Sequence, residues 1–71
     1  MKNDLIIFGT GKIADVLFYY FKEESNFNPV AFTVDQQFLN RSTFNDLPVV
    51  AFEEIEHAYT PSKTNVFVAI G

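Results

Sequence analysis

Apolar and polar positions change their period along the chain, and each change marks a new element. Leu5-Ile6-Ile7-Phe8 is an unbroken apolar run closed by Gly9. A short run without alternation is the pattern of a central parallel strand covered on both faces. From Lys12 the period turns helical, with Ile13, Val16, Leu17, Tyr20 and Phe21 at i, i+3, i+4, i+7 and i+8. That spacing predicts an amphipathic helix with these five on its apolar stripe. Lys22-Glu23-Glu24 reads as its solvated end, and Ser25-Asn26 stops it. Pro29 to Val34 reads as a second strand ending at Asp35. The first 35 residues are therefore β-turn-α-β, with a crossover long enough for parallel pairing.

Gln36 to Asp46 is polar, with Phe38, Leu39 and Phe44 as its apolar anchors. It reads as an irregular loop, either lying over a ligand or serving as a mobile connection. Leu47-Pro48-Val49-Val50 predicts a short strand, with Pro48 suited to its first residue or to an edge. Phe52, Ile55 and Tyr59 mark a short second helix, with Glu53 and Glu54 placed in its first turn. Thr60 to Lys63 is a turn, and Asn65 to Ile70 is another apolar strand followed by Gly71. The parallel strands are expected in the order 3-2-1-4, within three layers. There is no internal repeat and no low-complexity tract. The chain reads as the amino-terminal piece of something larger.

A length of 71 residues allows one small domain. Such a core rarely supplies more than roughly 3–5 kcal/mol without a staple or a partner. Cysteine is absent, which excludes disulfides and thiolate metal sites and fits a reducing cytoplasm. One histidine argues against a histidine metal site, and no metal ligand set is assigned. The apolar runs are far shorter than the roughly 20 residues that span a bilayer, so no membrane insertion is expected. A net charge of −4, with Lys2, Lys12, Lys22, Arg41 and Lys63 scattered, argues against nucleic acid. A small anion stays possible, because backbone amides bind phosphate without net positive charge. Nine phenylalanines are many for a monomer's core, so some are expected to face a neighbouring domain or subunit.

Gly9-Thr10-Gly11-Lys12-Ile13-Ala14 fits the G-x-G-x-x-G/A pattern between a strand and a helix. Glycines there let helix-start amides approach a phosphate, and an acid at the end of the second strand, here Asp35, binds ribose hydroxyls. The alternative is that the glycines serve only the turn, Ala14 only close packing, and Asp35 only a solvated corner. Lys12 either reaches the phosphate as a point charge or is solvated. His57 has no nucleophile partner in recognisable spacing and reads as a surface residue. Asp4, Asp15 and Asp46 form no assignable acid–base couple, and Tyr19-Tyr20 read as packing or snorkelling. No catalytic residue is assigned.

The order of landmarks resembles the amino-terminal domain of bacterial sugar O-/N-acyltransferases, of the sialic-acid O-acetyltransferase and bacillosamine acetyltransferase type. The resemblance covers the whole chain. It rests on Leu5-Ile6-Ile7-Phe8-Gly9-Thr10-Gly11, Pro29 to Asp35, Leu47 to Val50, and Val66-Phe67-Val68-Ala69-Ile70-Gly71. It implies a Rossmann-like α/β domain at 1–71, with a parallel sheet of about four strands, that binds a UDP-sugar. A hexapeptide-repeat left-handed β-helix would follow beyond 71 and supply acetyl-CoA binding and a catalytic histidine. No cofactor belongs to the first domain. The intact protein would be a homo-oligomer, a trimer by resemblance, acting in the cytoplasm in polysaccharide or glycan biosynthesis. Gly9, Thr10, Gly11, Lys12, Asp35 and Gly71 would meet the ligand. The sequence departs from the family where G-x-G-G-H-G is common, since Lys12-Ile13-Ala14 follow Gly11, and Gln36 stands where a second acid is frequent. Two other readings stand beside it: an NAD(P)-binding fragment of an oxidoreductase, and a domain kept only for packing.

Overall fold

The structure is a computed structural model that describes residues 3–59 and 63–69. Its elements run β1 (Asn3–Phe8), α1 (Lys12–Glu24), β2 (Phe27–Val34), a 3₁₀ turn at Gln36–Phe38, β3 (Thr43–Phe44), β4 (Leu47–Ala51), a second 3₁₀ turn at Phe52–Glu54, α2 (Ile55–Ala58) and β5 (Thr64–Val68). The chain is α/β, with one sheet in the order β3-β4-β2-β1-β5. Four strands pair in parallel and β3 runs antiparallel to β4. The parallel strands keep the expected 3-2-1-4 order, but among the described residues the sheet has five strands instead of about four.

The extra strand comes from the segment read as an irregular loop. Asn45 (φ 52°) and Asp46 (φ 66°) are both left-handed. Two such residues make the two-residue turn whose twist matches an antiparallel pair, so β3 and β4 close a hairpin. Asn and Asp tolerate this region better than other non-glycine residues.

Pro29 leaves a mark on the central pairing. Leu5 pairs with Pro29 but Ile6 pairs with Ala31, so β2 carries one extra residue there. Proline has no N–H to give the ladder, and within sheets it is confined to edges, strand starts and bulges. The β4 ladder joins β2 only from Phe32 onward, which leaves the Pro29 stretch without a second neighbour.

The main core lies between α1 and one sheet face. Ile7, Phe32 and Val49 are in register across β1, β2 and β4 and are buried with Leu5 and Val34. Ala14, Phe18 and Phe21 close on them from α1, with Leu17 half-buried. The helix is thus rotated from the expected stripe, because Ile13, Val16 and Tyr20 are 44 %, 66 % and 54 % exposed. The helix is apolar on more than one side, and the side turned to the sheet carries Phe18 and Phe21, rings with no hydroxyl to satisfy, while Tyr19 and Tyr20 stay exposed. The Phe18 ring stands 5.8 Å from that of Phe32, and the Phe21 ring 5.1 Å from that of Phe67. Ser25 ends the helix as expected: its hydroxyl donates to the Phe21 carbonyl at 2.7 Å and accepts from Phe27 N–H at 3.0 Å. One side chain therefore closes α1 and opens β2.

The opposite face carries Ile6, Ala31 and Thr33, all fully buried. Thr33 keeps its hydroxyl satisfied by donating to the Val50 carbonyl at 2.6 Å. Phe52, edge-on to Phe8 at 5.2 Å, belongs to the thinner covering on this side.

Candidate functional site

The glycine turn leaves the carboxyl end of β1, where an open parallel sheet offers its ligand crevice. Gly9 has φ +125°, a conformation L side chains rarely adopt. A Cβ there would stand 3.0 Å from the Ala69 carbonyl oxygen and 3.8 Å from Ala14 Cβ. Its N–H donates to the Thr33 carbonyl at 2.8 Å. Gly9 is therefore pinned between three neighbours and is required by packing.

Gly11 differs. Its backbone is extended at φ −86°, and a Cβ added there would meet nothing within 4 Å. It is the residue preceding the helix, and its carbonyl accepts from Asp15 N–H at 3.0 Å. No side chain caps the amino-terminal end of α1. First-turn amides have no acceptor within their own helix, and the end of a helix of 13 residues carries partial positive charge.

A cleft of about 390 Å³ opens at this point. One wall is Thr10, Gly11, Lys12 and Asp15; the other is Arg41, Phe44 and Asn45 from the hairpin. Asn45 Nδ2 donates to Asp15 Oδ1 at 2.8 Å, which ties the hairpin tip to the first turn of α1. The Arg41 guanidinium lies 5.2 Å above the Phe44 ring, and that ring meets Phe32 edge-on at 4.8 Å. A line of contacts thus runs from the buried core through Phe44 to a cation at the cleft. Lys12 and Arg41 outnumber the one carboxylate, Asp15, whose oxygen is already engaged.

Of the sequence-predicted residues, Thr10, Gly11 and Lys12 come together in this cleft. Gly9 stands just behind it. Asp35 sits half-buried at the end of β2, where its carbonyl accepts from Phe38 N–H at 2.8 Å, and it is not among the lining residues. Gly71 lies outside the described residues. Arg41, Phe44 and Asn45 were missed by sequence reasoning. The signal that points to them is Asn45-Asp46, a left-handed-tolerant pair directly before an apolar run.

A second cleft of about 470 Å³ lies on the other face, between α2 and β5. Ile6, Phe52, Ile55, Tyr59 and Val66 line it, with Glu53 and Glu56 as its charges. Apolar walls with carboxylates repel a phosphate, so the smaller cleft is the candidate. His57 is exposed on α2 and lines neither cleft, and Tyr19 and Tyr20 are exposed on α1. Among the described residues, no group of three or more His, Cys, Asp or Glu is arranged to hold a metal ion. None of their helices is long and apolar enough to cross a membrane. No family model matches the chain, and neither the curated proteins nor the solved structures compared with it include a match.

Proposed function

We propose that the chain is a Rossmann-like module that binds a nucleotide-sugar, a UDP-sugar, through the phosphates at the β1–α1 turn. The observation that carries this reading is the meeting of an uncapped helix start with Lys12 and Arg41 in one cleft. Backbone amides and the helix dipole favour an anion there. Arg41 adds a planar donor set that suits a phosphate, and Lys12 adds a point charge. Gly11 leaves room for the phosphate to come close to the backbone. Asp35, at the end of the neighbouring strand, is assigned to the ribose hydroxyls. The bound sugar would be the acceptor for an acetyl group from acetyl-CoA, with that transfer carried out by a further domain.

Calorimetric titration with UDP-N-acetyl sugars, against NAD and NADP, tests the reading. UDP-sugars are expected to bind. Arg41→Ala is expected to weaken that binding roughly 10- to 100-fold, the equivalent of about 1.5–3 kcal/mol for a hydrogen bond to a charged group. Binding of NAD without any response to UDP-sugars would assign the cleft to a nicotinamide dinucleotide instead. Silence towards all three ligands would remove the binding role.

A further inference from the structure

The cleft at the glycine turn holds acceptors as well as cations. Asp15 and Asn45 line it together, one from the first turn of α1 and the other from the hairpin tip. Asn45 Nδ2 donates to Asp15 Oδ1 at 2.8 Å. The reverse orientation of the amide would set a carbonyl against a carboxylate, so this bond fixes which end of Asn45 is left for another partner. That end is its carbonyl oxygen, which only accepts, as does the second oxygen of an ionised Asp15. Among the described residues, no donor meets either of these two oxygens.

Cations and helix-start amides beside a pair of acceptors suit a ligand that is itself two-sided. It carries phosphate charge at one end and hydroxyl donors next to it. A UDP-sugar is such a ligand and free UDP is not. In the sugar ester, the oxygen that joins sugar to outer phosphate is uncharged, and the sugar hydroxyls beside it can donate. In free UDP the same oxygen is ionised, which adds about one negative charge at pH 8, and no sugar hydroxyl follows it. A carboxylate in the same cleft repels that charge. Lys12 and Arg41 cannot make this selection, because they attract the free diphosphate more strongly than its ester. Nor does holding the hairpin explain the charge on Asp15, since two amides also hydrogen-bond to each other.

We infer that the Asp15–Asn45 pair selects the sugar ester over the free nucleoside diphosphate, by accepting from sugar hydroxyls and by repelling an ionised terminal phosphate. The inference rests on the proposed binding of a UDP-sugar at this turn. It gives the pair a role in specificity, while Lys12, Arg41 and the helix amides supply the affinity for phosphate.

Calorimetric titration of the 71-residue chain at pH 8 with UDP-N-acetylglucosamine and with UDP tests this. The unaltered chain is expected to bind the ester roughly 10-fold more tightly than UDP. Asp15→Asn keeps a side chain that can hydrogen-bond Asn45 and removes the charge. It is expected to tighten UDP and weaken the ester, each by roughly 3- to 10-fold. Asp15→Asn combined with Asn45→Asp returns one carboxylate to the pair from the opposite wall, on a left-handed backbone that aspartate tolerates. This exchange is expected to recover the preference for the ester. Equal binding of the two ligands by the unaltered chain would overturn the inference and leave the UDP-sugar site standing. So would an Asp15→Asn variant in which both affinities move in the same direction, or a folded double variant that does not prefer the ester. A chain that binds neither ligand would remove the site and the selection together.

Discussion

At the scale of single residues, the two glycines of the turn have separate jobs. Gly9→Ala forces a Cβ against the Ala69 carbonyl at a left-handed backbone. It is expected to cost about 1–3 kcal/mol, measurable by chemical denaturation. Gly11→Ala meets open space and an ordinary φ, so the same measurement is expected to show no loss. Any fall in UDP-sugar affinity in that variant would then report crowding of the phosphate and not damage to the fold. Thr33→Val removes the buried hydroxyl that donates to the Val50 carbonyl at 2.6 Å, while that oxygen keeps its place in the β2–β4 ladder. A loss of about 0.5–1.5 kcal/mol is expected, the net contribution of one hydrogen bond and a sizeable part of what so small a domain holds. The motif Gly9-Thr10-Gly11 was legible from sequence because a strand and a helix flank it. Its division of labour was not, because the neighbour that crowds Gly9, Ala69, lies 60 residues away, directly after β5.

At the scale of elements, the hairpin is the clearest test. Asp46 sits at φ 66°, where glycine is at no disadvantage. Asp46→Gly converts the turn to Asn-Gly and is expected to stabilise the protein by up to about 1 kcal/mol in thermal unfolding. Asn45→Ala cuts the bond to Asp15 and sets an alanine on a left-handed backbone, and is expected to lower stability by about 1–3 kcal/mol while loosening Arg41 over the cleft. The four parallel strands and both helices could be read from hydrophobic period. The buried side of α1 could not, since Ile13, Val16 and Tyr20 compete with Ala14, Phe18 and Phe21 for the sheet. Periodicity counts apolar positions without knowing which rings the sheet offers as partners. The hairpin escaped for a different reason: its strand β3 has only two residues, too few to show any period.

At the scale of the whole molecule, the order of the parallel strands followed from the handedness of crossovers. The cleft's second wall did not follow, because Arg41 comes to share a cleft with Lys12 only once the hairpin is held against β2 by Phe44 and against α1 by Asn45. The same long-range closure gives Phe44 a double contact, with Arg41 above it and Phe32 beneath. The chain contains no tryptophan. Phe44→Trp would therefore make this ring the sole indole in the protein, seated under the cation that an anion would engage. Its emission wavelength is expected to move when UDP-sugar is added and to stay still in the same variant carrying Arg41→Ala. The stacking that links cleft to core thus doubles as an optical gauge of occupancy, readable without a label.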